Sequence, residues 1–102
     1  MSFTVGKYEF AGPFNSTNQL EERSGVYVIV CSVNGQYQPV DCGESATVKS
    51  RVDNHDRGNC WNANCSGTLM VAVLYTPNLQ SAGRVAIEQD IRRQYTFPCG
   101  QR

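Results

Sequence analysis

The sequence predicts an α+β domain, in which a small antiparallel or mixed β-sheet is flanked by two or three helices. Two nearly continuous apolar runs, residues 25–33 and 68–76, are typical of strands that are covered on both faces. An Asn-Gly pair follows the first run at once, which indicates a hairpin. Helical spacing of apolar residues from 81 to 95 completes the pattern. We therefore expect about three core strands plus an N-terminal strand.

All 102 residues are expected to form one domain, with an N-terminal extension at 1–23 and a core at 24–102. The composition is ordinary for a globular protein, since 40% of the residues are hydrophobic and 18% are charged. Residues 3–10, FTVGKYEF, have β-type composition with a glycine break and predict one short or bulged strand. Residues 12–25 are polar and turn-rich, which predicts mostly loop with at most one helical turn.

The hairpin comes from the first apolar run and the segment that follows it. Asn34-Gly35 suits a two-residue turn, because both central positions of such a turn need a positive φ. The segment QYQPVDC is then the antiparallel partner strand, and it is expected to end at Gly43. Pro39 has no N–H to donate, so this strand is predicted to be an edge strand or to carry a bulge.

Two helices are predicted from capping residues and apolar spacing. Ser45 or Thr47 can cap the first, which Gly58 would terminate. The next ten residues, GNCWNANCSG, are a loop by composition. Pro77 ends the second apolar run, and Ser81 can cap a last helix that runs to about residue 95. The candidate core positions are Val48 and Val52 in the first helix and Val85, Ile87, Ile91 and Tyr95 in the last.

Charge and hydropathy restrict the function classes. The formal net charge is zero, which excludes attraction to nucleic acid through overall charge, although four arginines against two acids in 84–102 allow a local basic patch. No apolar run is long enough to span a bilayer, and the first residues do not resemble a secretory signal. We therefore expect a cytoplasmic protein without a membrane partner.

The odd number of cysteines argues against a full disulfide framework. Cys31 lies inside an apolar run and is predicted to be a small core residue. Cys60 and Cys65 are separated by four residues, a spacing that zinc half-sites use, and His55 or Cys99 could complete the ligands. A structural Zn²⁺ is the less favoured interpretation of this pair, because no second cysteine pair has usable spacing.

Several residues stand in the order of a known signature. GVY at 25–27 precedes VDCG at 40–43, and an arginine, Arg51, follows Gly43 by eight residues. His55 lies four residues after that arginine, Glu88 is on the last predicted helix, and FPCG follows that helix at residues 97–100. From about residue 24 onwards, this arrangement resembles the GIY-YIG nuclease domain. It departs from the family pattern at Asp41, which replaces the second signature tyrosine, and in the absence of an evident asparagine near the C-terminus.

The resemblance implies a GIY-YIG-like fold and a metal-dependent endonuclease that hydrolyses phosphodiester bonds in DNA or RNA. Glu88 would hold a single Mg²⁺ or Mn²⁺ ion, with water and phosphate as the remaining ligands. Arg51 would clamp a phosphate oxygen through its planar fork, and Tyr27 would position or activate the water. Asp41 could replace the missing tyrosine as a base or a second metal ligand, and His55 could also be the base.

The same resemblance implies partners. The candidate nucleic-acid contacts are Lys49, Arg57, Trp61, Arg84 and Arg92, and a chain of this size is expected to rely on a targeting partner protein. The alternative function is a GIY-YIG-like module that has lost catalysis and binds nucleic acid or a protein.

Each candidate residue also has a structural interpretation. Tyr27 suits the packing of a strand, and Asp41 suits a turn. Glu88 is four residues from both Arg84 and Arg92, so an ion-pair ladder explains it without a metal. His55 near a helix C-terminus can interact with the helix dipole, and Trp61 can pack against the edge of the domain.

Overall fold

The computed structural model describes residues 2–100 and has the predicted α+β architecture. Within that range, the chain forms five strands, three α-helices and one 3-10 turn. The strands are β1 (Ser2–Val5), β2 (Tyr8–Phe14), β3 (Gly25–Val33), β4 (Gln36–Ser45) and β5 (Thr68–Tyr75), and the helices are α1 (Val48–Asp53), α2 (Gly58–Ala63) and α3 (Ser81–Gln94). The 3-10 turn covers Thr17–Gln19. None of the helices in residues 2–100 has the length and apolarity needed to cross a bilayer.

The five strands form one antiparallel sheet in the order β1-β2-β5-β3-β4. There is one strand more than predicted, because the segment 3–10 turns at Gly6, where φ is +59°, and contributes to two strands instead of one. The second of them continues to Phe14, through part of the segment that was predicted to be a loop. The prediction of a mostly loop segment was therefore wrong at its start, where pairing with β5 overrides the turn-rich composition.

The β3–β4 hairpin forms as predicted around Asn34-Gly35, where φ is +53° and +79°. β4 is an edge strand and it is also bulged, so both alternatives for Pro39 occur together. Ile29 pairs with Asp41 whereas Val30 pairs with Pro39, which leaves Val40 as the inserted residue. The strand does not end at Gly43 but continues to Ser45, because its pairing with β3 extends as far as Gly25.

Helices cover both faces of the sheet, so the domain has three layers. On the face covered by α1 and α2 (the α1/α2 face), the core contains Tyr27, Ile29 and Trp61, together with Val48 and Val52, which are buried as predicted. On the opposite face (the α3 face), the core is built mainly from alternate residues of β3, from β1, β2 and β5, and from Ile91 of α3.

The predicted helix boundaries need three corrections. Gly58 is not the end of α1, which stops at Asp53, but the first residue of α2, in a segment predicted to be a loop. Gln80 and not Ser81 is the N-cap of α3. Of its predicted core positions, Ile91 is buried and Tyr95 is exposed, while two charged residues that were not expected there, Arg84 and Glu88, are buried.

Two disulfides hold α2 and the end of the chain in place. Cys60 within α2 is bonded to Cys99, and Cys65, which follows α2, is bonded to Cys31 in the middle of β3. Cys42, on the α3 face, is the one free thiol among the described cysteines. Cys31 is buried as predicted, but it is not a free core residue. In this oxidised form, the sulfurs of Cys60 and Cys65 have different partners and offer no thiolate pair to zinc.

Candidate functional site

Tyr27 on β3 lies across Gly43 on β4, its direct partner in the hairpin. A Cβ atom added at residue 43 would lie 2.3 Å from the Tyr27 hydroxyl oxygen and 2.5 Å from its Cζ, so no other residue fits under this ring. Both residues are buried. The glycine therefore lets the tyrosine lie across the edge strand on the α1/α2 face.

A short hydrogen bond joins the Tyr27 hydroxyl to His55, which follows α1. The distance from Tyr27 Oη to His55 Nε2 is 2.6 Å, and His55 Nδ1 accepts the backbone N–H of Arg57 at 3.0 Å. Burial lowers the pKa of His55 to about 4, and Arg51 and Arg57 add to this effect. The ring is therefore neutral at pH 7, with its proton on Nε2, which donates to the tyrosine oxygen.

Arg51 lies at the accessible side of this pair. Its Nη2 is 3.1 Å from Oδ1 of Asp56, and 38% of its side chain is exposed. Burial raises the pKa of the Tyr27 hydroxyl well above its ordinary value, and the charge of Arg51 opposes that shift only in part. The charge of Glu88 also raises the pKa of Tyr27. The hydroxyl therefore stays protonated, and the charges of Arg51 and Glu88 both act on it.

Asp41 is fully buried and binds three side chains from other parts of the chain. Its Oδ2 accepts hydrogen bonds from Arg57 Nε and Trp61 Nε1, each at 2.7 Å. Its Oδ1 accepts from Arg92 Nη2 and from the backbone N–H of Cys42, each at 2.8 Å. Burial alone would raise the pKa of Asp41, but the bonds from Arg57, Trp61 and Arg92 outweigh it and hold the pKa below its usual value. Asp41 is thus an ionised anchor whose oxygens are occupied, and its acceptor sites for a metal or water are filled.

Glu88 on α3 joins the same network through Arg92. Glu88 Oε2 lies 3.1 Å from Arg92 Nε, and both side chains are less than a tenth exposed. Arg92 also donates to the carbonyl oxygen of Cys42. Gly100 closes the group at φ +80°, where a Cβ would lie 2.6 Å from Arg92 Nη2 and 2.9 Å from Asp41 Oδ1. Gly100 therefore lies against the contact between Arg92 of α3 and Asp41.

The described residues contain no group of three or more His, Cys, Asp or Glu side chains arranged to hold a metal ion. Mg²⁺ does not need such a group, because it keeps several water ligands and often takes one or two carboxylates with substrate phosphate. Of the two carboxylates in the network, Asp41 has its oxygens occupied by nitrogen donors, and Glu88 is held in a buried ion pair with Arg92. A single Mg²⁺ or Mn²⁺ at this network would therefore take Glu88, and not Asp41, as its protein ligand.

The predicted nucleic-acid contacts divide into two groups. Arg57, Trp61 and Arg92 belong to the Asp41 network and face inward. Arg84 donates hydrogen bonds to Glu44 at 2.8 Å and to the carbonyl of Leu79, and the charge of Lys49 lowers the pKa of Glu22. Arg84 and Lys49 therefore lie outside the Asp41 network. Trp61 is 7% exposed and stands on a helix, not in an open loop. Trp61 therefore packs in the core of the α1/α2 face and is largely inaccessible to solvent.

The sequence did not point to Asp56 as part of this region, and it pointed to Cys99 only as a possible zinc ligand and to Gly100 only within the FPCG segment. Asp56 lies 3.1 Å from Arg51 and 3.2 Å from Nδ1 of His55, and its signal was its place between a histidine and an arginine. Cys99 donates its backbone N–H to the carbonyl of Val40 and is bonded to Cys60. The Pro and Gly residues of the FPCG segment were the sequence signal for this part of the chain, which contains Cys99 and Gly100.

Comparison with protein-family models, with curated proteins and with solved structures gave no match to this chain.

Proposed function

We propose that this chain is a GIY-YIG-like, metal-dependent endonuclease domain that hydrolyses phosphodiester bonds in DNA or RNA. The observation that carries the proposal is the buried Tyr27–His55 hydrogen bond, with Arg51 on its accessible side and the charge of Glu88 acting on the tyrosine. Tyr27, His55 and Arg51 thereby lie together on the α1/α2 face, whereas Glu88 belongs to α3 on the opposite face and is linked to Asp41 at the sheet edge through Arg92.

Each residue has a role that follows from its surroundings. His55 has both ring nitrogens engaged and a lowered pKa, so it acts as a positioning residue that fixes the Tyr27 hydroxyl and is a poor base. Because Nε2–H donates to the tyrosine oxygen, the Tyr27 O–H remains available to orient the attacking water. Arg51 is the exposed cation that would bind a non-bridging phosphate oxygen and stabilise the charge developing there.

Glu88 would hold the single Mg²⁺ or Mn²⁺, and the ion would supply neutralisation of the phosphate charge and help to the leaving oxygen. Arg92 keeps the Glu88 carboxylate oriented through the 3.1 Å contact. Asp41 replaces the second signature tyrosine in position but not in chemistry, since its oxygens bind Arg57, Trp61 and Arg92. It supports the site by fixing α2 and α3 against β4.

A domain that binds nucleic acid without cutting it is the second candidate. It is favoured by the state of the two carboxylates, because Asp41 is fully engaged and Glu88 is buried in an ion pair with Arg92. In this alternative, Arg51 remains the phosphate contact. A targeting partner protein is proposed for either candidate, because the described residues form one small domain around a single sheet.

The disulfides also bear on the compartment in which the protein is located. The sequence favoured the cytoplasm, whereas two disulfides are typical of proteins from an oxidising compartment. We propose an oxidising environment on this ground. Retention of both disulfides in protein isolated with rapid thiol blocking would support it, and fully reduced cysteines would favour the cytoplasm.

The nuclease proposal is tested with labelled branched, flap and single-stranded substrates in the presence of Mg²⁺ or Mn²⁺. We compare the unmodified chain with Glu88→Gln, which keeps the size of the side chain, and with Glu44→Gln as the matched control, since Glu44 is also paired with an arginine. We expect metal-dependent nicking that Glu88→Gln abolishes and Glu44→Gln preserves.

Equal background cutting by all three proteins would contradict the nuclease proposal. Binding without cutting under either metal would favour the second candidate, provided that Arg51→Ala weakens the binding and reduces its dependence on salt. No binding and no cutting would contradict both.

A further inference from the structure

A groove of about 250 Å³ opens on the α1/α2 face, next to the candidate site but separate from it. It lies between the end of β2 on one side and α1 and α2 on the other, above β3 and β5. The floor is apolar and includes Ile29 and Val71, and Phe14 and Trp61 also line it. Asn15, Thr17 and Asp53 contribute the polar part of the lining.

Trp61 connects the groove to the candidate site. Its ring centre is 4.5 Å from that of His55, and its Nε1 is bonded to Asp41, which fixes the orientation of the indole. Val52, another lining residue, directly follows Arg51 in α1. Arg51, the proposed phosphate contact, and Val52 of the groove lining are thus neighbours in the same helix.

The lining combines aromatic and aliphatic surface with hydrogen-bond acceptors. Asp53 accepts a hydrogen bond from Thr17 through Oδ1, and Oδ2 has no hydrogen-bond partner among the described residues. A carboxylate accepts N–H groups, so it favours a ligand with an exocyclic amino group, as adenine, cytosine and guanine have. The volume is below the about 300–1,000 Å³ of pockets for drug-sized ligands, which suits one flat ring system and not a base pair.

We propose that this groove binds one unpaired base of the nucleic-acid strand, preferring bases with an exocyclic amino group over thymine or uracil. The inference rests on the proposed nucleic-acid substrate and adds the feature that selects it, a single-stranded or unpaired position beside the phosphate at Arg51. Phe14 and Trp61 supply the aromatic surface, and Asp53 supplies the acceptor. Trp61 of this base contact also packs against His55 of the candidate site.

The test uses the fluorescence of Trp61, which is the only tryptophan in the sequence and lines the groove. The full chain is titrated in EDTA, so that no cutting occurs, with single-stranded hexamers of deoxyadenylate, deoxycytidylate and thymidylate and with an abasic strand of equal length. We expect the adenine and cytosine strands to quench the fluorescence and to bind on the order of tenfold more tightly than the abasic strand, as one stacked base would give.

Two variants separate the base contact from the phosphate contact. Phe14→Ala should weaken binding of the adenine strand on the order of tenfold and leave binding of the abasic strand unchanged. Asp53→Asn is on the exposed rim, keeps an oxygen for Thr17, and should remove the preference for adenine and cytosine over thymine. Arg51→Ala should weaken all strands alike.

Equal affinity for the adenine and abasic strands would overturn the inference, as would an unchanged preference in Asp53→Asn. These outcomes are independent of the proposed catalysis. A protein that binds bases in the groove but never cuts would refute only the nuclease, and one that cuts abasic and normal strands equally well would refute only the groove.

Discussion

Arg92 Nη2 lies 2.8 Å from Asp41 Oδ1, although 51 residues of chain separate the two side chains. Asp41 is on the edge strand and Arg92 is on the helix of the opposite face, so this contact reaches around the edge of the sheet. Arg57 and Trp61 approach the same carboxylate from the other side. One anion thereby joins all three layers of the domain.

Loss of the Asp41 charge should destabilise the domain strongly. Asp41→Ala leaves the buried guanidinium of Arg92 with Glu88 as its remaining carboxylate partner, and it removes the acceptor of Arg57 and of the Trp61 N–H. We expect the free energy of unfolding to fall by about 3–5 kcal/mol, as for other buried ion pairs that lose one member. Urea denaturation measures it, with Glu9→Gln as an exposed acidic control that should change little. A loss below about 1 kcal/mol would show that Asp41 is not the anchor described here.

Gly43→Ala should displace the tyrosine, because the new Cβ would lie 2.3 Å from the Tyr27 hydroxyl oxygen. We expect a destabilisation of about 1–3 kcal/mol, and the hydrogen bond to His55 should lengthen or break. Gly58→Ala is the matched control: no atom lies within 4 Å of the added Cβ, and the helix at that position gains from alanine. The measurements are thermal unfolding and the NMR signals of the His55 ring, and equal stability of the two variants would contradict the packing argument.

Acidification should destabilise the protein in a window set by His55. The folded-state pKa of about 4 lies below the ordinary value of 6.5, so the unfolded chain binds the proton more readily. The contribution of the neutral ring is fully present above pH 6.5 and is lost as the pH falls toward 4. We expect a loss of about 1–2 kcal/mol, less than the full shift would give, because solvent near Arg51 screens the charge.

The pH effect is measurable because the sequence has a single histidine. NMR titration of its ring protons should give a midpoint near 4, and the urea midpoint of His55→Gln should no longer change between pH 6.5 and 5. A ring that titrates near 6.5 would contradict the buried Tyr27–His55 bond.

Reduction should destabilise the domain, because the two disulfides close loops with sequence separations of 34 and 39 residues. Each bridge restricts the unfolded chain, so its removal should lower the free energy of unfolding by about 3–4 kcal/mol. Removal of both should cost less than the sum of the two. We expect the melting temperature to fall by more than about 10 °C with a dithiol reductant. Cys42→Ala, which leaves both bridges intact, should show the same fall as the unmodified chain.

Thiol counting checks the pairing directly. Unfolded, unreduced protein should take up one alkyl group, at Cys42, and reduced protein should take up five. Peptide mapping should recover Cys31 with Cys65 and Cys60 with Cys99. Three or more free thiols before reduction would contradict the network around α2.

The sequence predicted features whose causes are local. The prediction of the β3–β4 hairpin depends on Asn34-Gly35 and on the apolar run that directly precedes it, so both signals lie within a few residues of each other. In contrast, α2 was predicted to be a loop, because it is held by distant contacts: Trp61 with Asp41, and Cys60 with Cys99. Its six residues alone would not form a stable helix.

The same distinction applies to the candidate site. Asp41 was interpreted as a turn residue or a base, because its partners are 16, 20 and 51 positions away and leave no local pattern. The contact between Tyr27 and Gly43 was not predicted, although strand pairing converts a fixed hairpin length into a fixed contact and the spacing of the two residues contained that information. The resemblance to a nuclease domain stays a prediction, for which the experiments with Glu88 and Arg51 provide the test.

The bulge at Val40 reverses the phase of β4 within a single strand. Val40 and Asp41 both belong to the α1/α2 face, whereas Pro39 pairs with Val30 of the α3 face. Continued from Pro39 without the extra residue, the ladder would set Asp41 opposite Val28, and its carboxylate would face away from Trp61. Because of this one inserted residue, the part of β4 next to the hairpin turn and the part that contains Asp41 pair with β3 in two different registers. The geometry of the turn therefore does not decide which face of the sheet the Asp41 carboxylate occupies.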